Sequence, residues 1–320
     1  MLASLQTLFL REHNRLAAQF IQRGWSKWQV YNVSRKIIGG MLQVITYREY
    51  LPLMVGQQTM ERFNLAIPSR EYTYRSALNP SIINTWAAAA CRCPGLAYDL
   101  NNMDDFCKPE TDPVRTFLVG ACEQQMQELN TVYSREITRY LFATPMEPGK
   151  DLRAIDYHRA RDHGTPPYNQ WRQFCGLRPF SSFEEMKNAF SNRYSGLIDR
   201  LKLLYHNEID DLDFGVGAIL EPVAPGSTFG PTVTCIFGHQ FNRLKFGDRF
   251  WIENPKVSTA FSRDQLANLY KVTLSGLICA NTDVQRIQRN VFLVPGPTNP
   301  TVNCEQLMVE QNIHPESYNF

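Results

Sequence analysis

The first part of the chain carries its clearest hydrophobic pattern. Between residues 4 and 23, apolar side chains recur at steps of three, four and seven: Leu5, Leu8, Phe9, Leu16 and Phe20. Charged and amide side chains largely fill the positions between them, which predicts an amphipathic helix over 4–23. His13 lies four residues after Phe9 and three before Leu16, on the apolar face. The pattern therefore predicts a hydrogen-bonded core histidine at His13.

A second apolar stripe follows at Ile37, Ile38, Met41, Leu42 and Ile45, and it predicts another helix. This helix should end before Pro52, because proline lacks an amide donor and disfavours helical backbone in the residue before it. Gly39 and Gly40 lie in the middle of the stripe. We expect another element to pack closely against the helix there.

Three further helix starts are predicted from capping residues. Asp112 followed by Pro113 is typical of an N-cap and the first helical residue. Two pairs have the spacing of a capping box, Ser182 with Glu185 and Ser262 with Gln265. Each pair stands in front of apolar residues at helical spacing, so each predicts a helix.

The rest of the chain shows little of the period-two alternation expected of strands. Glycine and proline concentrate over 214–232, and the tail from about 290 has no regular pattern. No repeat or long polar linker marks a boundary. We therefore expect a mainly α fold of many helices with one or two short β-hairpins, forming one domain over 1–320.

Composition and charge exclude several classes of partner. The 320 residues are 43% hydrophobic, which is enough for a large core, and 33 basic against 31 acidic residues leave a net charge of +2. No basic patch indicates nucleic-acid binding. No apolar run approaches the roughly 20 residues that span a bilayer. The first ten residues carry no basic charge, so we expect no signal peptide in this chain.

Eight cysteines and one glycosylation sequon bear on the compartment. The cysteines stand at positions 91, 93, 107, 122, 175, 235, 279 and 304, and their number alone leaves disulfides and buried thiols open. Cys107 and Cys122 bracket an acidic segment that a bridge between them could close. Asn32, in the run Asn-Val-Ser, is a glycosylation site if the chain is secreted.

Segment 151–177 holds the densest cluster of histidine, acidic and arginine side chains. His158 and Asp162 share a helical face, with His163 beside them, and such a set could bind a metal ion. The same residues could instead form a buried knot of salt bridges and hydrogen bonds. Both interpretations stay open, although Thr165, Pro166 and Pro167 should end the helix directly afterwards.

Several long motifs resemble those of the animal haem peroxidases, in the same order. They are LFLREHNRLA (8–17), RKIIGGMLQVITYREYLPLMVG (35–56), RARDHGTPPYNQWRQFCGL (159–177) and FGDRFWIENP (246–255). The resemblance implies a mostly helical fold around a haem, secretion, and oxidation of halide or phenolic substrates by hydrogen peroxide. Such chemistry needs an axial imidazole on the iron, and a base and a cation on the peroxide side.

On the peroxide side, the family places its distal histidine, calcium loop, arginine and glutamate before the REHNRL helix. Here that helix begins a few residues after Met1. We therefore expect the distal half and the calcium site to be absent, the domain to be incomplete, and no catalytic residue to be present.

On the other side of the haem, the family's proximal histidine should fall near residue 95. Aligning the family's haem-side arginine with Arg92 puts Gly95 at the position of the iron ligand. Arg159 matches an arginine near a haem propionate, and Asp156 stands where an asparagine accepts a hydrogen bond from the proximal histidine. The resemblance thus gives Arg92, Asp156 and Arg159 as cofactor-binding candidates, with the ligand itself missing.

Replacement ligands and disulfides complete the expectations from the resemblance. His158, or a thiolate from Cys91 or Cys93, could replace the missing iron ligand; the two cysteines could equally be bridged or simply buried. The family's cysteines imply bridges between Cys175 and Cys235 and between Cys279 and Cys304. The pairing of the other four stays open.

Two functions follow from these expectations. The first is a chain derived from a secreted haem peroxidase, truncated and inactive as given, whose substrates would be peroxide and small molecules. The second is a non-enzymatic secreted domain that binds other proteins and descends from a peroxidase. The changes at Gly95 and Asp156 favour the second, because truncation alone would not alter internal residues.

Overall fold

The architecture comes from a computed structural model, which describes residues 2–92, 112–126, 131–190 and 194–311. Cys93, Gly95 and Cys107 lie outside the described residues. Within the described ranges the chain is mainly helical and has one two-stranded sheet. This confirms the predicted fold class.

Helix α1 spans Leu2–Gln22, which confirms the first predicted helix. Its buried stripe runs at steps of four: Ser4, Leu8, Glu12, Leu16 and Phe20. The prediction of a core histidine at His13 is wrong, because the core position belongs to Glu12, which is fully buried. The His13 ring is half-buried, and its Nδ1 lies 3.3 Å from Asn14 Oδ1. The apolar pattern missed Glu12 because Arg15 and Asn281 satisfy its carboxylate inside the core.

Helix α2 spans Lys27–Ile45, a π-helical turn follows at Thr46–Tyr50, and α3 spans Leu51–Arg62. Helix α2 ends at Ile45, before Pro52, as predicted, but helical backbone continues beyond it. The chain widens into the π turn and places Pro52 in the first turn of α3, where a missing amide donor costs no helical hydrogen bond. The kink falls instead at Gly56, whose φ is +74°.

The other helices and turns frame the core. They are α4 (Asn84–Ala88), α5 (Pro113–Glu123), α6 (Arg135–Thr138), α7 (Leu152–Asp162), α8 (Tyr168–Phe174), α9 (Phe183–Ala189), α10 (Ser195–Leu204), α11 (Phe214–Leu220), α12 (Pro231–Gly247), α13 (Arg263–Leu269), α14 (Leu274–Asn281) and α15 (Cys304–Gln311). Short 3-10 turns lie at Ala90–Arg92 and Ile209–Asp211. The glycine- and proline-rich stretch 214–232 thus begins as helix α11 and turns only afterwards.

The predicted helix starts are confirmed. Asp112 caps α5, and the hydroxyl of Ser182 accepts a hydrogen bond from the Glu185 amide at the start of α9. Ser262 forms a complete capping box at α13. At α9 the box is half made, because the Glu185 carboxylate accepts from the Ser181 amide and hydroxyl instead.

The single described sheet is a short antiparallel hairpin near the C-terminus. Strand β1 (Arg286–Gln288) pairs with β2 (Thr301–Asn303), and Ile287 lies opposite Val302. The hairpin and α15 correct the expectation of an irregular tail after 290. Three-residue strands are too short for a period of two to be visible in the sequence.

The core is one cluster of buried side chains that runs from Leu8 in α1 to Leu307 in α15. Helix α1 packs against α2, α5 and α14, and Arg11 pairs with Asp112 at 2.7 Å. Among the described residues, no helix is both long and apolar enough to cross a membrane.

Candidate functional site

Helix α7 carries two of the cofactor-binding candidates, and its N-terminus is fixed by Asp151. The Asp151 carboxylate accepts hydrogen bonds from the Arg153 and Ala154 amides at 2.8 and 3.2 Å. The helix then buries one face, formed by Arg153, Asp156 and Ala160. It ends at Asp162, as the following Thr-Pro-Pro run predicts.

The Asp156 carboxylate is the centre of this face and is 5% exposed. Its Oδ2 accepts from Arg153 Nη1 at 3.3 Å, and its Oδ1 accepts from Arg159 Nη1 at 3.1 Å. The same Arg153 nitrogen donates to the backbone oxygen of Arg92 at 2.6 Å. The structure therefore joins all three candidates, Arg92, Asp156 and Arg159, in one hydrogen-bonded cluster.

Arg153 is the member of this cluster that the sequence interpretation missed. It is 9% exposed, and its guanidinium lies 4.2 Å from the centre of the Tyr133 ring. The available signal was its spacing, since arginines three residues before and three after Asp156 lie on neighbouring positions of a helix. A buried carboxylate between two guanidiniums is a stable arrangement only while both partners remain.

Two of the suggested replacement ligands, Cys91 and His158, lie in the described part. Cys91 is half-buried, its thiol donates to the Ala87 oxygen at 3.3 Å, and burial raises its pKa, which disfavours the thiolate that iron requires. His158 is exposed and lies two residues from Asp156, roughly 200° around the helix. It therefore faces away from the cluster. Neither Cys91 nor His158 therefore fits the place of an axial iron ligand beside the cluster.

The metal site suggested at His158, Asp162 and His163 is not assembled. All three side chains are exposed. The His163 ring lies 3.0 Å from Asn84 Oδ1, and Asn84 donates to the His163 oxygen at 2.6 Å, so this histidine ties α7 to α4. Throughout the described ranges, no group of three histidine, cysteine or acidic side chains is placed to hold a metal ion.

Both bridges implied by the resemblance are present. Cys175 is bonded to Cys235, and Cys279 to Cys304. The suggested bridge between Cys107 and Cys122 involves Cys107, which lies outside the described residues; Cys122 is a buried free thiol at the end of α5. Burial raises the pKa of Cys122 to about 12. This apolar position suits an uncharged thiol.

The sequon at Asn32 lies within helix α2. The Asn32 side chain is half-buried, and its Nδ2 donates to the Trp28 oxygen at 2.8 Å. Ser34, the hydroxyl residue of the sequon, is fully buried. Glycosylation at Asn32 stays a prediction.

The helical fold and the α7 cluster indicate a haem-peroxidase scaffold. Comparison with known proteins agrees with this class. The family model described as animal haem peroxidase matches residues 1–292. The chain belongs to the animal haem peroxidase family.

Curated relatives in this family are considerably longer. The chain is 35% identical to a peroxidasin homolog, pxn-2, of Caenorhabditis elegans, over 96% of this chain and 24% of that protein. It is 32% identical to mouse myeloperoxidase, over 96% of this chain and 45% of that protein. The chain thus spans about a quarter to a half of the length of these relatives.

Solved structures support the same fold. Peroxidase A from Dictyostelium discoideum matches with a TM-score of 0.72 and 28% identity, over 90% of this chain and 56% of that one. A fatty acid alpha-dioxygenase from Arabidopsis thaliana matches with a TM-score of 0.67 at 18% identity, over 87% of this chain and 51% of that one. The second likeness concerns the fold alone.

Proposed function

We propose that this chain uses the haem peroxidase scaffold without turning over peroxide, and that it acts as a non-enzymatic, protein-binding domain outside the cell. One observation carries the proposal. Asp156, which stands where the family's hydrogen-bond acceptor for the proximal imidazole stands, is already bound by Arg153 and Arg159. The family's ligand position itself holds Gly95.

The physical argument concerns how an iron ligand is held. A haem-ligating histidine donates its second ring N–H to a neighbouring acceptor, which fixes the ring and tunes the metal. Glycine has no ligand atom in its side chain, and each oxygen of the Asp156 carboxylate already accepts a hydrogen bond from an arginine. The two positions have therefore changed together, as expected once the ligand is lost.

The proposed location and domain organisation rest on the bridges and the core. Disulfides persist in oxidising compartments and are rare in the cytosol, so the bonded pairs Cys175–Cys235 and Cys279–Cys304 favour an extracellular protein. The continuous core from Leu8 to Leu307 favours one domain. We place the whole chain, 1–320, in that domain.

A second candidate function is peroxide-dependent oxidation of halide or phenolic substrates with haem held through a replacement ligand. The observation in its favour is that Arg92 and Arg159, which match haem-side arginines of the family, remain linked through Arg153 and Asp156. Under this alternative, His158 or a cysteine would serve as the iron ligand.

Haem titration separates the two functions. Purified chain is mixed with haemin, and the absorption spectrum and the peroxide-dependent oxidation of a phenolic dye are recorded against haemin alone. We expect no stable Soret band and no oxidation above the haemin background. A stable band with dye oxidation would contradict the proposal, and loss of that band in His158→Ala would assign the ligand.

A restoration experiment supplies the matched control. The double variant Gly95→His, Asp156→Asn returns the family's residues to both positions, and we expect it to gain a Soret band that the parent chain lacks. Asp162→Asn changes an exposed carboxylate on the same helix and should gain none. If the control and the double variant bind haem equally, Gly95 and Asp156 are not the reason for the loss.

A further inference from the structure

Helix α7 has a second functional face, opposite the arginine–carboxylate cluster. Tyr157, His158 and Arg161 lie on this face, and they border a cavity of about 430 Å³. The size falls within the range of roughly 300–1,000 Å³ typical of small-molecule sites. His158 and Arg161 lie on the side of α7 away from Asp156, and Tyr133, which also lines the cavity, packs against Arg153 of the cluster.

The wall of the cavity is apolar. Helix α10 contributes Leu197, Leu201 and Leu204, and helix α11 contributes Val216 and Ile219. Leu204 is 69% exposed although it lines the cavity, so it presents apolar surface that a ligand would cover. Leucine side chains on two facing helices form a slot suited to a flat hydrocarbon body.

One rim of the cavity is polar, and its side chains are hydrogen-bonded to one another. Arg161 donates to both oxygens of Asp213 at 2.9 and 2.6 Å, and the Tyr205 hydroxyl donates to Asp213 at 2.6 Å. The Asp213 hydrogen bond raises the pKa of Arg161, and burial raises that of Tyr205. These three groups therefore stay paired and leave the rim without net charge.

Of the histidine, arginine and aspartate side chains at the cavity, His158 is the one that no ion pair holds in the described part; the hydroxyls of Thr131, Tyr133 and Tyr157 also line it. His158 is exposed, lines the cavity, and makes no hydrogen bond to the described residues. Imidazole carries at least one N–H donor in either protonation state, and its charge is zero or positive. The complementary ligand is an apolar molecule with one anionic or hydrogen-bond-accepting group.

We propose that this cavity binds a small, mostly aromatic or alicyclic molecule that bears a single acidic group, with its body between α10 and α11 and its acid at His158. Such a site combines an apolar wall with one convergent polar group, which fixes the orientation of the ligand. The proposal does not depend on haem binding or on peroxidase activity.

The probe is 8-anilinonaphthalene-1-sulfonate, an aromatic body with one sulfonate, titrated by fluorescence into the folded chain. We expect saturable binding that weakens about tenfold in Leu204→Asn, because the variant removes apolar contact area. Leu203→Asn is the matched control, since Leu203 is 77% exposed on the same helix but does not line the cavity. Equal affinities in the two variants would overturn the site, as would the absence of saturable binding.

Two further variants test separately the contacts of the ligand's apolar body and those of its acidic group. Ala154→Phe places a ring in the cavity from the exposed side of α7 and should abolish the saturable phase while the circular dichroism spectrum is retained. His158→Gln should weaken the sulfonate probe about tenfold and leave the uncharged N-phenyl-1-naphthylamine unchanged. If His158→Gln weakens both probes alike, or neither, the proposed contact with the acid is wrong.

Discussion

At the scale of single residues, the buried acids show how this fold tolerates charge in its core. Four acidic side chains of the described part are buried: Glu12, Glu49, Asp156 and Glu221. Glu12 and Asp156 are each held by an arginine three residues away. Glu221 accepts from the Tyr168 hydroxyl at 2.7 Å and from the Thr232 amide and hydroxyl at 2.9 Å. These partners replace the water lost on burial.

Burial is the largest influence on the pKa of Glu49, as it is on that of Glu221. The Glu49 carboxylate lies in the π turn and accepts from the Leu274 amide at 2.8 Å, at the start of α14. Glu49 lines a second cavity together with Arg48, Lys271, Arg289 and Glu310, and the last two pair with each other at 2.6 Å. Burial raises the pKa of Glu49 to about 7, although the Leu274 hydrogen bond and Arg48 oppose the shift.

A pKa that is raised on folding fixes the direction in which the free energy of unfolding changes with pH. The folded chain binds the Glu49 proton more tightly than the unfolded chain, so the free energy of unfolding falls as pH rises from about 4.5 to about 7. The loss attributable to this residue is at most about 3 kcal/mol. Glu49→Gln keeps the acceptor for Leu274 and removes the titration. We expect it to lose less stability between pH 5 and pH 7.5 than the parent chain, measured by urea denaturation.

The control for this comparison is Glu61→Gln. Glu61 is exposed and accepts a hydrogen bond from Gln57 one turn away in α3. It should show the same change in unfolding free energy between the two pH values as the parent chain. An equal pH dependence in Glu49→Gln and Glu61→Gln would contradict the raised pKa of Glu49.

At the scale of elements, apolar spacing and capping residues predicted α1, α2, α5, α9 and α13, while most other helices of the described part were not predicted individually. The helix at α1 and the starts of α5, α9 and α13 follow from local interactions, which the sequence displays directly. The π turn before Pro52 and the three-residue hairpin do not follow from local interactions, because each depends on packing partners far along the chain. The error at His13 has the same origin, since Glu12 is buried only because Asn281 reaches it.

The candidate site likewise has a part that the sequence predicted and a part that it did not. Arg92, Asp156 and Arg159 were located from motifs, but their connection through Arg153 required the backbone oxygen of Arg92, 61 positions before Arg153, to be in place. Unlike a helix cap, a hydrogen bond to a backbone oxygen so far along the chain produces no local pattern of side chains. The cavity beside His158 was also unpredictable, because α7, α10 and α11 meet there only in the folded chain.

The adjacent glycines of α2 give a test of element packing. A Cβ on Gly40 would lie 3.1 Å from Leu269 of α13, whereas a Cβ on Gly39 would meet nothing within 4 Å. The predicted close packing therefore applies to Gly40 alone. Gly39→Ala should raise the free energy of unfolding by about 0.5–1 kcal/mol, because alanine favours helix over glycine. The free energy of unfolding of Gly40→Ala should be clearly lower than that of Gly39→Ala, because Leu269 must move to accommodate the new methyl group.

Chemical denaturation of both variants measures the difference, and each variant is the other's control because the helix propensity gain is the same. Two equally stabilised variants would mean that α13 yields without cost and that Gly40 is not a packing requirement. A Gly39→Ala chain less stable than the parent would mean that the α2 surface at Gly39 is covered.

At the scale of the whole molecule, the core and the bridges tie distant parts of the chain together. The buried cluster joins α1 to α15, and the Arg11–Asp112 pair fastens α5 to α1. Cys175–Cys235 links the end of α8 to α12 across 60 positions, and Cys279–Cys304 links α14 to α15 across 25. A break anywhere in this network exposes core that several helices share, which favours cooperative unfolding.

Differential scanning calorimetry tests the proposed single domain. We expect one transition whose calorimetric and van't Hoff enthalpies agree, because no helix in the described part has a core of its own. The double variant Cys279→Ser, Cys304→Ser opens the shorter loop and should lower the midpoint, since closing a loop of this size contributes about 3 kcal/mol, and it should still unfold in one step. Two resolved transitions in the parent chain would contradict the single domain. A second transition that appears only in the variant would mean that the bridge, rather than the shared core, couples α15 to the other helices.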